Sequence, residues 1–115
     1  MELPSSFDEL IEVLNQSQLY KNLISQLNKD LLLANVDLSF HEDTLPYSLK
    51  LVLIDKVCQL IQEKFTEYLN LLYIIDVSEE KVKSLNIEEI HQLSEAITFL
   101  ILQREWQKVW FKAKY

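Results

Sequence analysis

Glu88 and His91 have the spacing that comes nearest to a chemical motif in this sequence of 115 residues. An E-x-x-H step places a carboxylate and an imidazole on one helix face, as in the ligand sets of helical di-iron proteins. Glu95 lies a further turn along on a similar face. A complete site needs a second such pair and two more glutamates, and His41 lies outside any such motif. Glu88, His91 and Glu95 are therefore candidates for a metal or small-ligand site, against the alternative of a solvated first helical turn.

Two other groups of reactive side chains give weaker indications. Asp37, His41, Glu42 and Asp43 cluster oxygen ligands in one segment, but they lack the regular spacing and the glycine of an EF-hand loop. This pattern favours an exposed acidic loop. Cys58 falls within an apolar helical pattern, which predicts an inert thiol in the core.

The sequence contains no glycine, and this excludes several enzyme architectures. Glycine-rich phosphate loops, dinucleotide fingerprints and the nucleophile elbow of hydrolases all require it. No histidine has an evident reason to lie beside Cys58, and no carboxylate pair is singled out. We therefore expect a protein that is not an enzyme and that carries no cofactor.

Charge is unevenly distributed along the chain. The net charge is −7, which argues against nucleic acid as a partner because phosphate contacts need clustered lysine and arginine. Residues 1–103 hold seven basic against seventeen acidic side chains, whereas residues 104–115 hold four basic side chains and one acidic. A basic end also suits the negative pole of a helix C-terminus, so the asymmetry does not by itself indicate a ligand.

The cysteine count and the apolar runs predict the compartment. A lone cysteine permits no disulfide within the chain, and the acidic first residues lack the pattern of a signal peptide. The apolar runs are far shorter than the roughly 20 residues that span a bilayer. We expect a soluble cytoplasmic protein with no transmembrane segment.

The last helix carries apolar side chains on two sides. Ile90, Ile97 and Ile101 define one face, which continues into charged Arg104 and Lys108. The opposite face is aromatic, and the partner-binding residues predicted on or beside it are Phe99, Leu102, Trp106, Val109, Trp110 and Lys112. This row either packs on the second helix of its own chain, forms a twofold homodimer, or binds another protein. Peripheral membrane contact is the least favoured of the partner readings.

Periodicity and capping signals predict the order of the helices. Ser6 caps a first helix, a break falls at residues 15–17, and Ser17 caps a second helix that ends near Asn35. Residues 36–46 are irregular, and Pro46 occupies the first turn of a third helix that continues to about Ile75. Ser78 begins a short connecting helix, and Asn86 caps the last one.

The third helix has an apolar arc covering about half its circumference. The arc runs from Leu53 and Val57 through Ile61 and Phe65 to Leu69. Such a width requires two neighbours, so we expect this helix at the centre of the bundle. The predicted fold is a single all-α domain spanning residues 1–115, a compact bundle of four main helices plus a short connecting helix.

Three segments resemble parts of a group of small, all-helical bacterial proteins with no assigned activity. They are QLNKDLLLANV, YLNLLYIIDVSEEKVKSL and ITFLILQREWQKVWFK, within a resemblance that covers about two thirds of the chain. The resemblance implies a helical cytoplasmic protein and provides no functional residues. The predicted function is thus an interaction or assembly module that self-associates through its C-terminal helix, with metal or small-ligand binding near Glu88 and His91 as the alternative.

Overall fold

The computed structural model describes residues 2–115, and these residues form six helices with no β-strand among them. The helices are α1 (Phe7–Gln16), α2 (Tyr20–Leu33), α3 (Pro46–Glu63), α4 (Phe65–Ile75), α5 (Glu79–Ser84) and α6 (Ile90–Lys114). The all-α prediction is confirmed. The bundle is compact, with a radius of gyration of 13.2 Å.

Several predicted helix ends are confirmed by their capping groups. The Ser6 hydroxyl accepts a hydrogen bond from the Glu9 amide at 3.2 Å, and Ser78 does the same for Lys81 at 3.3 Å. Asn35, just after α2, has a φ of 61°, the left-handed conformation in which a helix often terminates. Asparagine adopts it more readily than most residues, and this chain has no glycine to do so.

The irregular segment before α3 is held by side chains of α2. The side-chain amide of Asn28 donates to the backbone carbonyl of Phe40 and accepts from the backbone N–H of Phe40, each at 2.8 Å. The Tyr20 hydroxyl donates to the Thr44 carbonyl at 2.6 Å, and burial raises the pKa of Tyr20 to about 12. Val36 and Phe40 are buried. The segment thereby brings Pro46 to the start of α3.

The prediction of one helix from Pro46 to Ile75 is wrong, because the helix breaks at Lys64. That residue has φ −140° and ψ 62°, outside the helical region, and separates α3 from α4. Placed end to end, 29 helical residues would extend about 44 Å, whereas the longest dimension of the molecule is 35 Å. The break turns Tyr68, Leu71 and Ile75 of α4 into the core.

The predicted cap of the last helix is also wrong by three residues. Asn86 adopts a left-handed φ of 48° in the preceding loop, and Glu89 caps α6 instead. The Glu89 carboxylate accepts hydrogen bonds from the amides of His91 and Gln92 at 3.0 and 2.6 Å. These bonds lower the pKa of Glu89, an exposed carboxylate at the positive pole of the helix.

The helices α3 and α6 share the centre of the bundle, so the predicted central position of the third helix holds for its first part, α3. The contact between these two helices is the most extensive; α3 also contacts α1 and α4, and α6 also contacts α2 and α4. Lys108 pairs with Asp30, and Lys112 bonds to Gln26, so α2 and α6 run antiparallel. A single core cluster draws its buried residues from α1, α2, α3, α4 and α6. Within residues 2–115 no helix combines the length and apolar character needed to cross a membrane.

Candidate interaction surfaces

Half of the aromatic row predicted on α6 lies inside the bundle. Leu102 is fully buried, Trp106 is 6 % exposed and Val109 is 4 % exposed. All three belong to the core cluster that includes Leu23 and Leu27 of α2. These three residues therefore pack within their own chain, which is one of the alternatives that the sequence leaves open.

The other members of the row lie at its edges. Phe99 packs edge-to-face against Phe7 of α1, with the ring centroids 5.3 Å apart. Trp110 is half-buried and packs edge-to-face against Phe111, with the ring centroids 5.4 Å apart. Lys112 is exposed and donates to the Gln26 side chain at 2.6 Å. Partner binding by Phe99, Trp110 and Lys112 stays a prediction.

A charged cluster that the sequence pattern did not predict lies between α2 and α6. The Lys108 ammonium lies 2.7 Å from a carboxylate oxygen of Asp30 and 2.7 Å from one of Glu105. Asp30 also accepts a hydrogen bond from Gln26 at 3.1 Å. Asp30 is 3 % exposed and Glu105 is fully buried, so two carboxyl groups share one ammonium group in the interior.

Burial, with a further contribution from the neighbouring Asp30 carboxyl, raises the pKa of Glu105 to about 8, and Lys108 opposes the shift. At neutral pH Glu105 is therefore mainly protonated. The cluster then contains one carboxylate and one ammonium group, which is the arrangement that avoids an unpaired charge in the core.

The residues of the alternative metal site do not come together with further ligands. Glu88, His91 and Glu95 are all exposed at the start of α6. Between residues 2 and 115 no group of three or more His, Cys, Asp or Glu residues could hold a metal ion. In the acidic loop, His41 and Asp43 form an exposed contact of 3.6 Å. Neither region has a ligand set on which metal binding could be argued.

Cys58 lies outside the core, contrary to the prediction. It is half-buried, and its thiol donates to the side-chain oxygen of Gln62 at 3.6 Å. The core-facing stripe of α3 consists of Leu49, Leu53, Val57 and Leu60, and Cys58 is rotated away from it by one residue. The apolar pattern predicted correctly that the residue is on α3 but not which side it occupies.

The outer row of α3, defined as Tyr47, Leu51, Ile54 and Cys58, leaves large apolar side chains in solvent. These positions recur at spacings of four, three and four, so they share one side of the helix. Tyr47 is 59 % exposed and Leu51 is 46 % exposed. Ile54 is half-buried but is not among the side chains packed on the core.

The outer row of α4, defined as Phe65, Leu69 and Tyr73, is more exposed still. Its three members recur every four residues and are 54 %, 50 % and 84 % exposed. The sequence pattern predicts Phe65 and Leu69 in the arc covered by neighbouring helices, and this prediction is wrong. The break at Lys64 explains the difference, because α4 buries Tyr68, Leu71, Leu72 and Ile75 instead.

The comparisons with known proteins leave the surfaces to be interpreted on their own geometry. No protein-family model matches the chain, and comparisons with curated proteins and with solved structures likewise give no match. The side chains that the bundle leaves uncovered are therefore the guide to function.

Proposed function

We propose that the protein is an assembly module that self-associates, with a second copy of the chain covering the outer rows of α3 and α4. The observation that carries this proposal is the exposed row of α4. Phe65, Leu69 and Tyr73 are large apolar side chains in consecutive turns, and each is at least half exposed. Scattered exposed apolar residues are ordinary, but an aligned row is typical of a binding surface.

The composition of α4 supports an interface. Among its eleven residues Glu67 is the only charged one, and Glu67 points well away from the row in helical register. Thr66 and Asn70, which flank the row, are uncharged. Depletion of charge around aromatic side chains characterises the centre of protein–protein interfaces.

The exposed area approaches what a stable dimer needs. At roughly 150–200 Å² per large side chain, the exposed fractions of Tyr47, Leu51, Phe65, Leu69 and Tyr73 amount to on the order of 500 Å². A standard interface buries about 800 Å² on each partner. Ile54, Cys58 and the polar residues around the rows can supply the remainder.

A second copy fits these rows better than a charged partner. A twofold interface brings the same patch from both subunits together, so it must be complementary to itself. An uncharged apolar row meets this condition. The acidic remainder of the chain, with eighteen acidic against eleven basic residues, would instead repel its copy.

Charge insertion into the row tests the proposal. We expect Leu69→Glu to convert the dimer into a folded monomer, because two buried carboxylates would face each other across the twofold interface. Sedimentation velocity gives the mass and circular dichroism verifies the helix content. Leu33→Glu is the matched control, since Leu33 lies on another helix and is 61 % exposed; it should remain dimeric.

Trp110→Glu separates this interface from the one predicted on α6. We expect Trp110→Glu to stay dimeric, because Trp110 lies on neither outer row. A dimer that dissociates with Trp110→Glu but survives Leu69→Glu would place the interface on α6 and overturn the present assignment. We also propose that the protein acts in the reducing cytoplasm, as the lone cysteine predicts.

A further inference from the structure

A groove separates α2 from the end of α6, on a part of the molecule that the outer rows do not include. Its volume is about 340 Å³. The lining residues are Leu19, Asn22, Ser25, Gln26, Lys29, Val109, Lys112 and Ala113. This set combines apolar side chains, neutral polar groups and two lysines, and it contains no acidic residue.

The two lysines of the groove have no carboxylate partner within the described part of the chain. Neither Lys29 nor Lys112 forms an ion pair within 4.0 Å among residues 2–115. Lys112 donates one hydrogen bond to the neutral Gln26 side chain, which leaves two of its three N–H groups free. In a chain with eighteen acidic residues, this absence of a carboxylate makes the groove locally basic.

The nearest acidic groups are already engaged. The Asp30 carboxylate is not among the lining residues, and it accepts hydrogen bonds from Lys108 and from the groove residue Gln26. Glu105 is fully buried beside Lys108, and its raised pKa of about 8 keeps it mainly uncharged at neutral pH. The charge of Lys108 is therefore matched locally, and that of Lys29 and Lys112 is not.

We infer that this groove binds a small apolar carboxylate, with the carboxylate between Lys29 and Lys112 and the apolar body against Leu19, Val109 and Ala113. An ammonium group and a carboxylate form a charge-assisted hydrogen bond. The apolar lining removes the rest of the ligand from water. Gln26 helps to position Lys112, since it bonds to Lys112 at 2.6 Å and to Asp30 at 3.1 Å.

The size of the groove favours a small molecule over a protein segment. Small-molecule sites have volumes of roughly 300–1,000 Å³, and this groove lies at the lower end of that range. A helix with its side chains is about 10–12 Å across and needs a longer, wider channel. The inference is independent of self-association, because none of the lining residues belongs to the outer rows.

Titration with octanoate, followed by amide chemical shifts, tests the inference. We expect octanoate to shift the resonances of α2 residues near Gln26 and of α6 residues near Val109. Octanol, which has the same chain without the carboxylate, should bind at least tenfold more weakly. Lys112→Gln and Lys29→Gln should each weaken octanoate binding by about tenfold, because each removes one charge-assisted hydrogen bond.

Lys21→Gln is the matched control, since Lys21 is an exposed lysine of α2 that does not line the groove. It should bind octanoate as the unaltered chain does. The inference fails if octanoate shifts no groove residue, if octanol binds equally well, or if all three lysine variants have the same affinity. Because the mass of the protein is measured separately, loss of octanoate binding leaves the dimer proposal intact, and the reverse also holds.

Discussion

Glu105 is the residue whose environment most changes the energetics of this bundle. It is a fully buried carboxyl group that contacts Lys108 and shares it with Asp30. A carboxyl group in such a position costs least when it is protonated, which is why its pKa rises to about 8. Its neutral form adds a polar group to the core without adding a charge.

This shift makes stability depend on pH. The folded chain holds a proton on Glu105 up to about pH 8, whereas the ordinary carboxyl pKa of 4.5 applies when the chain is unfolded. The contribution is therefore fully present below pH 4.5 and is lost as pH rises to about 8, by about 1.4 kcal/mol per pH unit. Glu105→Gln should abolish this dependence in urea unfolding from pH 5 to 8. The exposed control Glu95→Gln should retain it; an equal slope in both variants would contradict the assignment.

Trp106 supplies a test of the packing on α6. Because it is only 6 % exposed and belongs to the core cluster, Trp106→Ala should lower the free energy of unfolding by about 3–5 kcal/mol. Its mass in sedimentation should equal that of the unaltered protein. A variant of normal stability with a changed mass would instead show that Trp106 faces a partner.

At the scale of elements, local signals predict some helix starts correctly and miss others. Ser6, Pro46 and Ser78 act within one turn of the chain, and the structure confirms each. The predicted caps Ser17 and Asn86 are wrong, because α2 begins after Leu19 and α6 after Glu89. The break at Lys64 has no glycine, proline or capping side chain to mark it. It is stabilised by the packing of α4 against α2 and α6, which lies outside the reach of a local pattern.

The missed break also explains why the candidate surface could not be predicted. In a continuous helix Phe65 and Leu69 fall in the same arc as Leu53 and Val57. The break at Lys64 changes the direction in which the α4 side chains point relative to those of α3. As a result, Val57 is fully buried while Leu69 is half exposed. The charged cluster between α2 and α6 could not be predicted from local sequence patterns either, because its Asp30–Lys108 pair joins residues 78 positions apart.

The end of α2 provides a prediction at this scale. Asn35 has a φ of 61° and an exposed side chain, so its main requirement is a residue that tolerates the left-handed region. Asn35→Ala should destabilise the protein by about 1–2 kcal/mol, whereas Asn35→Gly should be close to neutral. Thermal unfolding of the two variants checks this; equal losses would show that the asparagine side chain itself is needed.

At the scale of the whole molecule, the bundle buries one apolar side of α3 and of α4 and leaves a second apolar row on each helix exposed to solvent. The core stripe of α3, with Leu53 and Val57, is fully buried, while Leu51 on the outer row is 46 % exposed. Within the chain α3 contacts α6, α1 and α4, and none of them covers the outer row. We propose that a second copy of the chain covers it.

The decisive measurement for self-association is the sedimentation-velocity mass of the unaltered chain across a wide concentration range at neutral pH. We expect a species of twice the 13.6 kDa chain mass that dissociates on dilution, and a single-chain mass for Leu69→Glu at every concentration. A single-chain mass for the unaltered protein at the highest concentrations would contradict it.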